Sequence, residues 1–386
     1  MMGPAAAQID RFEPPAVLPS PPLPAEPASG PLVTDLGDGH HAVTFLWRGP
    51  ARQVLVMINT LAEGMLGDLR PALMERIPGS DLWHRTFRFR SDLRATYQFH
   101  VSEEAFEAAT PEEWGAVRRT AVPDPLNPET LPSWFPGITT SVLELPDAPP
   151  QPWARPRPGV PAGTVTEHLV SSAALGEDRA VHVYTPAVPV ESPDLLVLLD
   201  GDLWSGPVPI APTLDNLIAE GRIAPLVAVM PVSGDYATRN RELGGSEPFL
   251  EFLADELPAW AAERWPVTAD PARTTIAGQS LGGLAAAAAA LRSPGRFGKV
   301  LAQSGAFWLD DEALTRAYAT APRHPLRFRL EVGRNEWRLR PAVHRFHRTL
   351  RERDYEAVLT EYTGGHDLAC WRGGLADGLL ALNGTP

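Results

Sequence analysis

The sequence contains a single cysteine, Cys370, among its 386 residues. No disulfide can form within such a chain and a cysteine-rich metal site is excluded, and a single cysteine is compatible with a reducing compartment. Long apolar runs are also missing, since no stretch approaches the roughly 20 residues that span a bilayer. The alanine-rich run at 284–291 is too short for this and predicts a buried helix.

Basic residues are fewer than acidic ones, 34 against 47, which gives a formal net charge of -13 at pH 7. A negative chain of this kind is disfavoured as a binder of nucleic acid or of an anionic membrane surface. We therefore expect neither as a partner, and an anionic small molecule would need a local basic pocket. The oligomeric state is left open by these properties.

Proline is abundant, with 42 residues, and it marks two segments outside the predicted domains. Residues 1–31 are rich in proline and alanine and lack the cationic start and apolar centre of a signal peptide, so we expect a disordered tail. Residues 146–163 have the composition of a semi-rigid linker. The chain length itself is compatible with two or three domains.

Two folded domains are predicted on either side of this linker. Residues 32–145 contain short runs in which apolar and polar residues partly alternate, separated by turn residues, which is typical of a β-sandwich. From 164 to 386, strand-like apolar runs alternate with helical segments, which predicts an α/β fold with a doubly wound sheet. The run at 195–199, Leu-Leu-Val-Leu-Leu, has the composition of a strand buried on both faces.

One pentapeptide in the second domain has the pattern of a catalytic serine. The segment 278–282, GQSLG, lies between a β-prone run at 274–277 and the helix-forming run at 284–291. A serine on so sharp a turn needs neighbours almost without side chains, because the helix must approach the strand closely. Strand, tight turn and helix form the layout of a nucleophile elbow, so Ser280 is the predicted nucleophile.

A catalytic serine needs a base, and in such sheets catalytic groups lie in loops after the carboxyl ends of strands. The last predicted strand is followed by Thr-Gly-Gly-His-Asp at 363–367. His366 in this glycine-bracketed turn is the candidate base. The alternative interpretation is a histidine on the surface or at a helix cap.

The candidate acid is Glu336, which follows the predicted strand at 326–332. The order nucleophile, acid, histidine is that of α/β-hydrolases. Asp310, Asp311 and Asp367 compete for this role, although Asp367 is better placed as the N-cap of the following helix. A surface ion pair with an arginine is the other interpretation of Glu336.

The oxyanion hole is predicted from two backbone N–H groups. One belongs to Leu281, directly after the nucleophile. The other is expected from the loop after the strand at 195–199, where a glycine lets the chain turn towards Ser280, so the N–H of Asp202 or of Leu203 is the candidate.

Arginine and tryptophan side chains are frequent in the loops of the same predicted edge. This combination suits an anionic, planar aromatic ligand, through charge and cation–π contacts. Ordinary charged loops and buried tryptophans are the competing explanation. The predicted substrate-binding residues are Arg239, Arg241, Trp204, Arg334 and Trp337.

The sequence resembles the bacterial enterochelin (ferric enterobactin) esterases over nearly everything but the tail. The most specific motifs are GGHDLACWRGGL at 364–375 and DPLNP at 124–128. Further matching segments are LLDGDLW at 198–204, RNREL at 239–243, GQSLGG at 278–283, EVGRNE at 331–336, VTFLWR at 43–48, DLWH at 81–84 and RATYQF at 94–99.

This resemblance implies an immunoglobulin-like N-terminal domain followed by an α/β-hydrolase domain. It implies a cytoplasmic serine esterase that cuts the trilactone of a catecholate siderophore, with Fe(III) present only as part of the substrate and no other cofactor. By position, Ser280, His366 and Glu336 match the triad, and Arg239 matches the arginine of an R-x-x-E-L pattern. The family often has Glu-Phe where this chain has Asp202-Leu203, which bears on substrate choice. Two other functions stay open, a general carboxyl or feruloyl esterase and a non-catalytic binding protein.

Overall fold

The computed structural model describes residues 15–24, 26, 29–59, 68, 70–105, 111–133 and 137–385. The N-terminal half forms two antiparallel sheets, as predicted for a β-sandwich. One has the strand order β1-β6-β3-β2, with β5 paired to β6, and the other has the order β4-β7-β9-β8. The strands are β1 Val17–Leu18, β2 Leu32–Asp35, β3 His40–Arg48, β4 Gln53–Ile58, β5 Glu75–Arg76, β6 Leu82–Arg90, β7 Arg94–Ser102, β8 Thr130–Pro132 and β9 Thr139–Glu144, and helix α1 is Pro111–Thr120.

Aromatic side chains fill the space between the two sheets. Phe45 contacts Phe87 and Tyr97 edge to face, at ring-centre distances of 6.1 and 4.9 Å. All three side chains are essentially fully buried. The alternating apolar residues of β3, β6 and β7 therefore supply a core of their own, which explains why the chain builds a separate domain here.

The predicted disorder of residues 1–31 is wrong for part of that segment. Residues 1–14 lie outside the described residues, but Val17–Leu18 pair with β6 through Phe87 and Thr86. The Ser20 hydroxyl also lies 2.7 Å from His84 Nδ1. The edge of β6 offers backbone groups that need partners, and composition alone does not show this.

The proline-rich segment at 146–163 lies against the catalytic domain. Gln151 Nε2 donates to the Ala369 carbonyl at 2.6 Å. Asn216 Nδ2 donates to the carbonyls of Trp153 and Arg155, each at 2.9 Å. The linker therefore belongs to the interface between the two domains.

The C-terminal half contains one eight-stranded sheet in the order β10-β11-β13-β12-β14-β15-β16-β17. The first two pairings are antiparallel and the others are parallel. Its strands are β10 Thr164–Ser172, β11 Glu177–Thr185, β12 Asp194–Leu198, β13 Leu226–Pro231, β14 Thr274–Gln279, β15 Lys299–Gln303, β16 Arg327–Gly333 and β17 Glu356–Tyr362. The helices are α2 Gly201–Trp204, α3 Ala211–Ala219, α4 Tyr236–Leu243, α5 Glu247–Glu251, α6 Leu257–Ala262, α7 Leu281–Arg292, α8 Leu309–Thr320, α9 Arg340–Glu352 and α10 Leu368–Asn383, with a π-helical turn at Phe252–Glu256 and a 3₁₀ turn at Pro271–Arg273.

The predicted alternation of strands and helices is confirmed, with local differences. Helix α4 was not expected, although Asp235 caps it by accepting from the Thr238 N–H at 2.7 Å. The helical segment at 247–262 is interrupted by the π-helical turn ahead of Pro258, whose nitrogen cannot donate to the preceding turn. No helix within the described ranges is long and apolar enough to cross a membrane.

The strand order places the catalytic loops together. Strand β12 pairs with β13 on one side and with β14 on the other, so the chain reverses direction across the sheet at this point. The loops after β12 and β14 are therefore neighbours at the carboxyl edge, where α/β sheets bind ligands. The Leu199 N–H donates to the Ala277 carbonyl at 3.0 Å, which fixes the two strand ends in register.

Candidate active site

Ser280 occupies the tip of the predicted elbow in a strained conformation. Its backbone angles are φ 59° and ψ -121°. The surroundings enforce these angles, because the Ser280 N–H donates to the Gln303 carbonyl at 2.9 Å and the Ala306 N–H donates back to Ser280 at 3.0 Å. A Cβ on Gly278 would lie 2.4 Å from the Gly282 carbonyl oxygen, so glycine is required for the helix to begin so close to the strand.

Glu336 and His366 are in direct contact, as predicted. His366 Nδ1 lies 2.8 Å from Glu336 Oε2. The other carboxylate oxygen accepts from the Ser304 hydroxyl at 2.6 Å, the Gly333 N–H at 2.7 Å and the Tyr362 hydroxyl at 3.1 Å. Glu336 is fully buried, so these donors are what stabilises its negative charge away from water. This excludes the interpretation of Glu336 as a surface ion pair.

These contacts determine which histidine nitrogen carries the proton. An ionised carboxylate only accepts hydrogen bonds, so Nδ1 must be the protonated nitrogen. The Nε2 atom of His366 is then free to accept a proton from Ser280. The ring also packs edge-on against Trp371 at a centre distance of 4.6 Å, which restricts its rotation.

The competing carboxylates have other positions. Asp310 and Asp311 are exposed, and Asp311 accepts from Arg316 at 3.2 Å. Asp367 caps α10 by accepting from the Ala369 N–H at 2.9 Å, as the sequence predicts. Glu336 is therefore the carboxylate that orients His366.

The N–H groups predicted for the oxyanion hole differ in whether they are available to a ligand. Leu281 is the first residue of α7, where N–H groups lack partners within the helix. The Leu203 N–H, in contrast, donates to the Asp200 carbonyl at 3.0 Å, so it is not available for a ligand and that part of the prediction is wrong. Asp202, one residue earlier in the first turn of α2, stays the candidate for the second donor.

Arg239 lines the cleft, as predicted, but its guanidinium is paired with a carboxylate of the protein. Its Nε and Nη2 atoms donate to the two oxygens of Asp200 at 2.6 and 2.8 Å, and both residues are buried. Asp200 also accepts from the Ser233 hydroxyl at 2.7 Å. Because Asp200 immediately precedes α2, this ion pair anchors the loop that carries Asp202.

Trp204 is misassigned as a ligand contact. It is 1% exposed, and its Nε1 donates to Gln279 Oε1 at 3.0 Å beneath the elbow. A buried tryptophan packs its ring against apolar neighbours while its indole N–H finds a hydrogen-bond acceptor, here in β14. The tryptophan therefore supports Ser280 from below.

The three other predicted contacts lie away from the main cleft. Arg241 is 65% exposed on α4, about one third of a turn from the face that carries Tyr236 and Asn240. Arg334 lines a separate cavity of about 190 Å³ on the other side of the histidine turn. Trp337 is half-buried. From the same loop, Leu339 lines the cleft in the described part of the chain.

A cleft of about 560 Å³ opens above Ser280 and His366, between the two domains. Two exposed aromatic side chains flank it, Tyr236 at 68% and Trp308 at 44% exposure. The sandwich supplies the opposite wall, and none of its residues was predicted as a site residue. The wall residues are Met57, Asn59, Thr96, Tyr97, Gln98, Arg118, Pro132, Ser133 and Thr140. Sequence patterns identify such residues only as strand or helix positions, so no local signal marks them as a ligand wall.

Two family models match this chain. The N-terminal domain model of enterochelin esterase covers residues 42–154, and the Esterase model covers residues 172–382. The iron(III) enterobactin esterase of Escherichia coli K12 is 33% identical over 384 residues, which is 92% of this chain and 94% of the relative. The chain belongs to the enterochelin esterase family.

Solved structures of enterochelin esterases have the same arrangement of both domains. The ferric enterobactin esterase of Salmonella typhimurium matches with a TM-score of 0.84 and 31% identity, over 92% of this chain and 96% of that one. The Shigella flexneri enzyme in the presence of enterobactin matches with a TM-score of 0.81 and 32% identity, over 92% and 95%. A ferulic acid esterase from Anaeromyces mucronatus has a TM-score of 0.51 and 16% identity over 61% of this chain and 96% of its own, which shows a shared fold alone.

Proposed function

We propose that the protein is a serine esterase that hydrolyses the trilactone of a catecholate siderophore such as ferric enterobactin. The observation that carries this proposal is the buried Glu336 carboxylate paired with His366, in a cleft between two domains that Ser280 also lines. Family relatives that act on iron(III) enterobactin support the substrate class.

In the proposed reaction, Ser280 Oγ attacks a lactone carbonyl while His366 Nε2 takes its proton. The new imidazolium is stabilised by Glu336, and the oxyanion is held by the N–H groups of Leu281 and Asp202. His366 then returns the proton to the departing serine hydroxyl of the substrate as the ester bond breaks. A water molecule, deprotonated by the same histidine, cleaves the acyl-enzyme and restores Ser280.

Two exposed aromatic rings of the catalytic domain and an arginine of the sandwich line the cleft. Tyr236 and Trp308 have the exposure and position to stack on catechol rings. A ferric catecholate complex is an anion, and Arg118 from α1 lines the cleft. We assign the attraction of the anionic substrate to Arg118, because this positively charged side chain belongs to the cleft wall that the sandwich supplies.

Iron takes part in this proposal only as cargo of the substrate, and the expectation that no other cofactor is used stays a prediction. The cytoplasmic location that the family resemblance implies is likewise part of this proposal, and the single free cysteine suits a reducing compartment. Fractionation of cells that express the tagged protein would test the location, and the activity after dialysis against a chelator would test the cofactor.

The deciding experiment compares hydrolysis of ferric and iron-free enterobactin with that of neutral aryl esters, with products identified by mass. We expect linear dihydroxybenzoyl-serine products, loss of activity in Ser280→Ala, and a higher kcat/KM for the siderophore. A preference for aryl esters by orders of magnitude would favour the feruloyl-type alternative. Retained hydrolysis in Ser280→Ala would contradict the serine mechanism itself.

The charge assignment has a matched control in the same helix. Arg118→Ala is expected to lower kcat/KM for the ferric siderophore and to weaken its dependence on ionic strength, because the screened attraction is lost. A neutral aryl ester should be affected much less. Arg119→Ala removes an equally charged neighbour that is exposed, and it should leave both substrates unchanged. Equal losses for Arg118→Ala on both substrates would contradict the assignment.

A further inference from the structure

The turn that carries His366 is held by the sandwich domain. This turn connects β17, which ends at Tyr362, with α10, which begins at Leu368. Asn59 Nδ2, at the end of β4, donates to the carbonyl of His366 itself at 2.7 Å. The Thr96 N–H and hydroxyl, in β7, both donate to Asp367 Oδ2, at 2.5 and 3.0 Å.

Asp367 joins these contacts to the helix behind the turn. Its Oδ1 atom accepts from the Ala369 N–H at 2.9 Å, while Oδ2 is used by Thr96. The residue is 1% exposed, and a buried carboxylate is costly unless its oxygens are hydrogen-bonded. The capping carboxylate therefore has both of its oxygens hydrogen-bonded when Thr96 of β7 is in place.

Further hydrogen bonds connect the backbone of β7 with the residues before and after His366. The Arg94 N–H donates to the Thr363 carbonyl at 3.3 Å, and the Cys370 thiol donates to the Arg94 carbonyl at 3.3 Å. The first residue of β7 thus contacts the chain on both sides of His366. Glu336 fixes the imidazole ring from the opposite direction at Nδ1.

We propose that Asn59, Thr96 and Asp367 are positioning residues for the catalytic histidine, so that the sandwich domain takes part in catalysis as well as in forming the cleft wall. Glu336 sets the orientation of the His366 ring through its contact with Nδ1. The backbone of the turn sets the position of the ring relative to Ser280. A displacement of about 1 Å between reacting groups can lower the rate about a hundredfold. This inference depends on the proposed role of His366 as the base.

The test uses the full chain and a neutral short-chain aryl ester, which reaches Ser280 without needing the sandwich wall. Thr96→Val removes the hydroxyl donor and keeps the shape and the N–H group. We expect kcat to fall roughly tenfold to a hundredfold, with little change in KM and a shifted pH dependence of kcat/KM. Thr96→Ser restores a hydroxyl and should recover most of the rate.

Two further variants keep the result interpretable. Asn59→Ala removes the donor to the His366 carbonyl and should act in the same direction, which covers the case in which Thr96→Val does not fold. Thr44→Val is the matched control in the sheet that does not contain Thr96. It removes a buried hydroxyl 2.8 Å from that of Thr86 on the neighbouring strand, and it should leave kcat unchanged. Thermal unfolding curves identify any variant that has lost its fold.

The outcomes separate this inference from the proposed function. If Thr96→Val and Asn59→Ala change only KM for the siderophore and leave kcat on the aryl ester intact, the sandwich is a wall and the inference is wrong. If His366→Ala remains active, the proposed base is wrong and the positioning role fails with it. Loss in His366→Ala together with a graded loss in Thr96→Val and recovery in Thr96→Ser supports both.

Discussion

Replacement of Arg239 by alanine should damage the protein through Asp200 and hardly through contact with substrate. The Arg239 guanidinium makes two hydrogen bonds to Asp200, at 2.6 and 2.8 Å, and the two residues are 7% and 2% exposed. Removing one partner of a buried pair typically costs about 3–5 kcal/mol, because the remaining charge is left without compensation. The Ser233 hydroxyl would still donate to Asp200, so the lower part of this range applies.

Thermal unfolding measures the stability effect. For a domain of this size, about 1 kcal/mol corresponds to roughly 2–4 °C in Tm, so a cost of about 3–4 kcal/mol should lower the Tm of the catalytic domain in Arg239→Ala by about 6–16 °C. Adding Asp200→Asn removes the uncompensated charge and should recover part of the loss. Arg241→Ala is the matched control on the same helix, since its side chain is 65% exposed and its ion pair is long, at 3.6 Å.

Kinetics measure the effect on the oxyanion loop. Loss of one oxyanion donor typically lowers kcat by about 10²–10³, and a displaced loop would approach this limit. The loss should be similar on a neutral aryl ester and on an anionic ferric siderophore, because the ion pair acts on the catalytic backbone. A loss confined to the siderophore with an unchanged Tm would refute this reasoning and return Arg239 to direct substrate binding.

Three further predictions concern other parts of the molecule. Glu336→Gln should lower kcat roughly 10³–10⁴-fold with little change in KM, because the amide no longer selects the Nδ1–H tautomer of His366; steady-state kinetics with near-wild-type activity would contradict this. Trp308→Ala should raise KM for the catecholate substrate and spare a small aliphatic ester, and equal effects on both would argue against stacking. Burial raises the pKa of Glu331 from 4.5 to about 7, so the folded state holds this proton more tightly than the unfolded state, and stability should fall by about 3 kcal/mol as the pH rises from 4.5 through 7. Glu331→Gln should flatten the dependence of Tm on pH across that window, whereas a curve parallel to that of the unsubstituted protein would show that Glu331 is not responsible.

The supports of Glu336 illustrate what sequence reasoning could not supply. Ser304 and Tyr362 lie 32 and 26 residues from Glu336 along the chain, yet both donate to its Oε1. Nothing in the local pattern of either residue marks it as part of a catalytic site. Their role follows from the parallel pairing of β15, β16 and β17, which brings the ends of these strands side by side.

The same argument explains why the sequence did not reveal the partners of Arg239 and Trp204. Arg239 and Trp204 belong to segments that do approach the site, but their side chains are used by Asp200 and Gln279. An arginine in a loop carries no sequence signal that distinguishes a free guanidinium from a paired one. The pairing partner is 39 residues away in one case and 75 in the other, so only the folded chain decides it.

The sequence by itself determined the elements that depend on neighbouring residues. The small residues around Ser280, the alternation of strands and helices, the order of Ser280, Glu336 and His366 and the cap formed by Asp367 all follow from local sterics and hydrogen bonding. The tertiary structure decided which charges are neutralised, which aromatic rings face the cleft and that the sandwich holds the histidine turn through Thr96. These features depend on contacts between segments far apart in the chain, and such contacts exist only after the sheet order and the packing of the two domains are fixed.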